Sequence, residues 1–403
     1  MPADIVCFSH LRWDFVYQRP NHLMAHAARS RRVFYVEEPV EDSAEASLST
    51  TRRDGVVVMV PRVPTRLSSR QREEVIRPLV GRALADEDVA RPVVWMYSPM
   101  ALPLTADIPR SLLVYDCMDF LAGFLGAPAG LRLLEDRLLR DADVVFTGGV
   151  SLQRRIAQRR PDAECLPSSV DQVHFRRSRT AALARDVVDR PRPRFGYAGV
   201  IDERLDLDLV RALADAYPQG TVMLVGPTAK IDPGTIPAGP NIVAVGGRPY
   251  GDLPSYLGGW DVGIMPFAHN EATRYISPTK TPEYLAAGLP VASTSIRDVV
   301  QPYGQAGLVE IGDGPDGFVA AAGRALATDP SRHRARADAF LRSDSWEATW
   351  AAMDDRLEAV AARRQRVDAP SSRLRSTRVD ALPTASRRHA IEEDTAVAGA
   401  GAD

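Results

Sequence analysis

The segment SPTKTPEYLAAGLPV, Ser277 to Val291, holds a helix start and a helix stop a short distance apart. Pro282 stands where an early helical residue would, and there its missing N–H costs nothing. Gly288 suits the helix C-terminus, and Pro290 blocks continuation. The spacing predicts a helix of about two turns, buried through Tyr284, Leu285 and Ala286. Its N-terminus would present free N–H groups near Thr279 to Thr281, which with the helix dipole make a ready anion site. Lys280 adds a mobile positive charge suited to a diphosphate. Glu283, one turn in, could accept hydrogen bonds from vicinal hydroxyls such as those of a ribose. The plainer alternative is a capped helix whose first-turn glutamate answers the dipole. Against it stands the composition: Lys230 and Lys280 are the only lysines among 50 basic residues, so a lysine here survived a drift to arginine.

Outward from this segment, short Val- and Ile-rich runs alternate with stretches of helical period. Ile5–Phe8, Val33–Val36, Val56–Val60, Val93–Tyr97, Leu112–Tyr115 and Val144–Thr147 read as strands in the first half of the chain. Arg194–Tyr197, Thr221–Val225, Ile242–Val245, Val262–Met265, Val291–Ser293 and Gly307–Ile311 do so in the second. Six short strands in each half, separated by helices, predict an α/β protein with two doubly wound parallel sheets. The stretch RTAALARDVVDRPRP marks the break, giving an N-terminal domain over 1–178, a linker over 179–193 and a C-terminal domain over 194–345. Residues 346–362 read as a final helix packing back on the first domain. From 363 to 403 the composition predicts a disordered tail, a solvated appendage or a basic arm for anionic lipid.

Composition narrows the function. The 50 Lys and Arg balance 52 Asp and Glu for a net charge of -2 over 403 residues, which argues against global capture of nucleic acid. Cys7, Cys117 and Cys165 are odd in number and widely spaced, favouring a reducing cytosol over a disulfide framework or zinc site. The N-terminus lacks a basic n-region, and no apolar run reaches the ~18 residues of a membrane span. The expectation is a cytoplasmic protein, at most peripheral to the inner face of the membrane. His22 and His26, four apart on a predicted helix, read as surface residues rather than metal ligands. The pairs Asp141, Asp143 and Asp206, Asp208 fall at helix ends, so no metal is assigned.

Ser277–Val291 resembles the nucleotide-sugar signature of GT-B glycosyltransferases, especially the large family-4-type group. ADVVFTGGVSL (Ala142–Leu152), SVDQVHF (Ser169–Phe175) and FGYAGVIDERL (Phe195–Leu205) resemble other parts of that group. The opening SHLRWDFVYQRPNHLM with VFYVEEP is similar to a bacterial subgroup that includes teichuronic-acid-type cell-surface polysaccharide transferases. The resemblance runs over roughly residues 4–350.

It implies a GT-B fold, two Rossmann-like domains facing a central cleft, with a nucleotide-diphosphate sugar on the C-terminal side. Diphosphate contacts would fall on Arg204 and Lys280, with backbone help from Gly199, Ser277, Pro278 and Thr279. Glu283 would bind the donor ribose, Gly226 would turn beside the nucleotide, and Arg248 would sit by the base. The group's first glutamate has no counterpart: Tyr275 stands eight positions before Glu283, and Glu271 is the nearest acidic candidate. On the acceptor side, His10, Asp14 or Arg19 could reach the cleft after the first strand, and Asp116 or Asp119 after another. A loop histidine without a task is the alternative for His10.

Retention is the group's rule, with the leaving phosphate as base; inversion would call on Asp119 or His10. No cofactor or metal is implied beyond the donor itself. The acceptor would be a glycan or a lipid-linked molecule. Six arginines against two glutamates between Arg62 and Arg82 fit either an inner-membrane contact or a solvated helix. Two other readings stay open: a GT-B-fold nucleotide-sugar epimerase, and a non-catalytic module that binds nucleotide or glycan.

Overall fold

The computed structural model describes residues 3–368, with side chains as far as residue 366. Met1–Ala362 forms one compact unit. In it, β1 (Ile5–Phe8), β2 (Val33–Val36), β3 (Ser47–Arg53), β4 (Val56–Arg62), β5 (Val93–Met96), β6 (Leu112–Cys117), β7 (Val144–Thr147) and β8 (Glu164–Cys165) make the first sheet. Their order is β3-β4-β2-β1-β5-β6-β7-β8. The second sheet contains β9 (Arg194–Ala198), β10 (Thr221–Val225), β11 (Ile242–Gly246), β12 (Val262–Met265), β13 (Val291–Ser293) and β14 (Val309–Ile311), in the order β11-β10-β9-β12-β13-β14.

Every strand pairing is parallel except that of β3 with β4. The six strands expected in the first half are all present and pair in parallel, and the hairpin strand β3 and the short β8 are added to them. The turn of the hairpin is Asp54-Gly55, both with positive φ (51° and 82°), as a two-residue turn matched to strand twist requires. β3 is polar and largely exposed, and β8 has only two residues, so neither carries an apolar run.

The first sheet is covered on both faces. Alternation along β1 sends Val6 and Phe8 to one core, and Ile5 and Cys7 to the other. The second core is closed by Trp346, Trp350, Met353 and Leu357, one stripe of the final helix, Trp346–Asp368. That helix runs past the Ala362 end expected for it, because Ala, Arg and Gln in AARRQR are good helix formers. From Arg363 a second unit begins, of which 363–368 is described, as helix. The rest of the expected tail lies outside the described residues. Among the described residues no helix is long and apolar enough to cross a membrane.

In each sheet the strand order reverses at one point, between β1 and β5 and between β9 and β12. Crevices open at the carboxyl ends of strands beside such reversals. The loops that follow β1, β6, β9 and β10 gather there.

Candidate active site

The helix Lys280–Ala287 is fixed over the end of β9 by Tyr284. Its ring is fully buried above Gly263, where a Cβ would come within 2.5 Å of Tyr284 Cδ2, and its hydroxyl accepts the Ala198 N–H at 2.7 Å. Gly288 ends the helix in the left-handed conformation (φ 88°). At the other end Thr279 provides no side-chain cap. The first inward bonds run from Thr281 to Pro278 and from Glu283 to Thr279. The backbone N–H groups of Ser277, Thr279 and Lys280 therefore have no acceptor among the described residues.

These groups open into a cavity of about 540 Å³ between the two sheets. From the second half it is lined by residues 197–200, 225–227, 247–250 and 276–280, with Arg204 and Glu283. From the first half come residues 13–19, Arg53, Asp54, Met118, Asp119 and Ser168. The cavity thus brings together Asp14, Arg19, Asp119, Gly199, Arg204, Gly226, Arg248, Ser277, Pro278, Thr279, Lys280 and Glu283. His10, Asp116 and Glu271 are not part of its lining.

Backbone economy shapes the phosphate-facing corner. A Cβ on Gly199 would lie 2.7 Å from Lys280 Cε and 2.7 Å from the Tyr197 hydroxyl, so the lysine stem uses the space that glycine leaves. A Cβ on Gly226 would lie 1.8 Å from the Gly199 carbonyl oxygen, which holds the ends of β9 and β10 in close approach. Among the described residues Lys280 Nζ has one distant partner, Thr279 Oγ1 at 3.5 Å. Burial raises the Glu283 carboxyl above the usual carboxylate range, against the pull of Lys280 and a hydrogen bond with Thr279. Burial likewise lifts Asp119 to about 6, opposed by Arg204 and reinforced by Asp202.

Several predicted residues are committed to the protein itself. Arg19 and Asp116 are each other's partners: Arg19 Nε and Nη2 meet the carboxylate at 2.9–3.1 Å, and both side chains are fully buried. Asp116 has its charge answered within the core, which corrects its assignment to acceptor hydroxyls. Each side-chain nitrogen of Arg248 is engaged, Nε with Tyr256, Nη1 with Gly247 and Nη2 with Asp186, which anchors the guanidinium to the protein. Glu271 is exposed and paired with Arg274, and Tyr275 turns to the first half, edge-on to Phe120. Asp14 lies at the rim, 3.5 Å from Arg53. His10 is held neutral, its pKa lowered to about 4 by burial and by the charge of Lys230.

His22 corrects the surface expectation. It is buried and stacks on Trp346 at 4.6 Å, which lies far away in sequence, and burial with nearby His26 and His174 lowers its pKa to about 3. Among the described residues no group of three or more His, Cys, Asp or Glu could hold a metal ion.

Sequence reasoning missed the residues that close the cleft. Tyr17 of the first half stacks on Tyr250 of the second at 4.7 Å. The loop after β6 lays Phe124 against Lys230, 4.5 Å from ring to Nζ, and Leu125 donates its N–H to Glu203 at 3.2 Å. Asp298 accepts the Ser151 N–H at 3.1 Å from across the halves. Only the Asp-Gly pair at 54–55 carried a local signal, the hairpin turn that delivers Arg53 and Asp54 to the rim.

Two sheets whose strand carboxyl ends face one cavity, with a helix N-terminus opening into it, define the GT-B fold. Solved structures of that fold superpose on nearly the whole chain. The α,α-trehalose-phosphate synthase (UDP-forming) of Burkholderia xenovorans, in complex with glucose-6-phosphate, aligns with a TM-score of 0.66 and 13% identity, covering 89% of this chain and 100% of that one. The sucrose-phosphate synthase of Thermosynechococcus elongatus gives 0.60 and 15%, covering 91% and 98%. In sequence, the chain is 25% identical over 232 residues to a Bacillus subtilis (strain 168) protein named, provisionally, the teichuronic acid biosynthesis glycosyltransferase TuaH. That match takes in 53% of this chain and 58% of the relative's length. No protein-family profile matches the chain.

Proposed function

We propose that the chain is a glycosyltransferase that moves a sugar from a nucleotide-diphosphate donor to a hydroxyl of a cell-surface glycan or lipid-linked acceptor. One observation carries this reading: Lys280 and three unpartnered backbone N–H groups converge at a helix start inside the cleft, with Glu283 one turn away. The name of the Bacillus subtilis relative and the sugar chemistry in the titles of the structural neighbours support it.

In this reading the nucleotide lies against residues 225–227 and 247–250, its ribose hydroxyls on Glu283. The diphosphate faces Lys280, Arg204 and the helix start. As the anomeric carbon–oxygen bond breaks, negative charge grows on the departing phosphate, and donors preset in a water-poor cleft stabilise it more than they stabilise the ground state. With retention, the acceptor oxygen bonds to the anomeric carbon on the face the diphosphate leaves, and its proton passes to a phosphate oxygen. Asp119 orients a sugar hydroxyl. The positive charge comes from side chains and backbone, and no cofactor is invoked.

A cytoplasmic enzyme peripheral to the inner membrane is a further part of this proposal. The arginines between Arg62 and Arg82 lend it little, because Arg62, Arg70, Arg72 and Arg77 are paired with Asp42, Glu74, Glu41 and Asp107. The reading as a non-catalytic nucleotide-binding module draws on the outward-facing Glu271. Thermal shift against UDP, GDP, ADP and dTDP tests the donor reading, with a rise in melting temperature expected for at least one. No response to any of them would remove it. Release of the nucleoside diphosphate from a bound nucleotide sugar separates enzyme from module.

A further inference from the structure

Arg204 is held from one side. Its Nε donates to Asp202 Oδ1 at 2.9 Å and Oδ2 at 3.1 Å, and its Nη2 donates to Oδ2 at 2.6 Å. The Arg204 backbone N–H donates to the same carboxylate at 3.0 Å, so Asp202 closes its own turn as well. Asp202 is nearly buried, with 4% of its side chain exposed. Of the five N–H donors of a guanidinium, this leaves three, including the end-on fork of Nη1 and Nη2. None of those three has an acceptor among the described residues, and Arg204 lines the cavity. On a ring face, Phe124 of the first half lies 5.4 Å from Arg204 Cζ.

We infer that Asp202 is a positioning residue: it grips Arg204 by Nε and Nη2 so that the remaining fork is fixed towards the diphosphate of the donor. The inference rests on the proposed role of Arg204 as a diphosphate ligand. An arginine fork set in advance loses less entropy per hydrogen bond on binding an anion, whereas a free side chain must be ordered by its ligand. Asp202 would thus act on the diphosphate and only through Arg204. A carboxylate needed merely for the local turn would act whatever stood at position 204.

Titration calorimetry with the nucleoside diphosphate that the wild type binds best, among UDP, GDP, ADP and dTDP, tests this in a double-mutant cycle. Asp202→Asn should weaken binding about tenfold, and Asp202→Glu should recover part of the loss. In an Arg204→Ala background, Asp202→Asn should have no further effect. Loss by the same factor in both backgrounds, or no loss in either, would overturn the inference while leaving the donor reading intact. A wild type that binds none of the four removes the donor reading, and the inference with it. Thermal unfolding checks each variant; if Arg204→Ala loses its transition, Arg204→Lys replaces it, since it keeps a cation for Asp202 but lacks the fork.

Discussion

The side chain of Lys280 crosses directly over Gly199, its Cε where a Cβ on that glycine would be 2.7 Å away. The residue just after the first strand of the second sheet therefore decides where the cation of a distant helix can stand. Gly199→Ala should push the flexible lysine stem aside and also press on the buried Tyr197 hydroxyl, each met at 2.7 Å, without a backbone clash. The expected outcome is about a tenfold loss of nucleoside diphosphate affinity by calorimetry, with stability lowered by about 1 kcal/mol, the low end for overpacking.

Gly226→Ala should behave differently. Its Cβ would meet backbone, the Gly199 carbonyl oxygen at 1.8 Å, so the ends of β9 and β10 must part. Overpacking of this kind costs about 1–3 kcal/mol, and urea denaturation should register that loss along with weakened binding.

Asp116→Ala should destabilise by about 3–5 kcal/mol, because it leaves Arg19 charged and buried without its partner. Urea denaturation measures this directly. A loss below about 1 kcal/mol would mean that water or a neighbour reaches the guanidinium after all.

Asp119 gives a pH signature. Its folded pKa of about 6 lies above the ordinary value of 3.8, so the folded state holds the proton over a range in which the unfolded chain has lost it. Stability from this group is present below 3.8 and lost as pH rises through about 6. Asp119→Asn should therefore raise the melting temperature at pH 8 and leave it nearly unchanged at pH 3.5. If the ionised carboxylate orients a sugar hydroxyl, turnover of the wild type should also fall as pH drops below about 6.

What was legible in the sequence was local. The helix at Lys280–Ala287 is bounded by Pro282, Gly288 and Pro290, each acting within a few residues, and the apolar strands declare themselves by composition. The polar hairpin strand β3 has no apolar period, because its side chains meet solvent, and only Asp54-Gly55 betrays it. The Arg19–Asp116 pair and the His22–Trp346 stack join residues far apart in sequence, so the same side chains read as cleft or surface groups until the fold closes. Asp202 belongs to the same loop as Arg204, yet nothing in the spacing tells which of Asp202 and Glu203 takes the guanidinium.

In the proposed function, Lys280 and the helix start beside it bind the diphosphate of a nucleotide sugar. Calorimetric titration of wild type and Lys280→Ala with the preferred nucleoside diphosphate tests it most directly. The prediction is measurable binding by the wild type and a loss of at least about tenfold in the variant, with unchanged thermal unfolding. Equal affinity in the two proteins would contradict it.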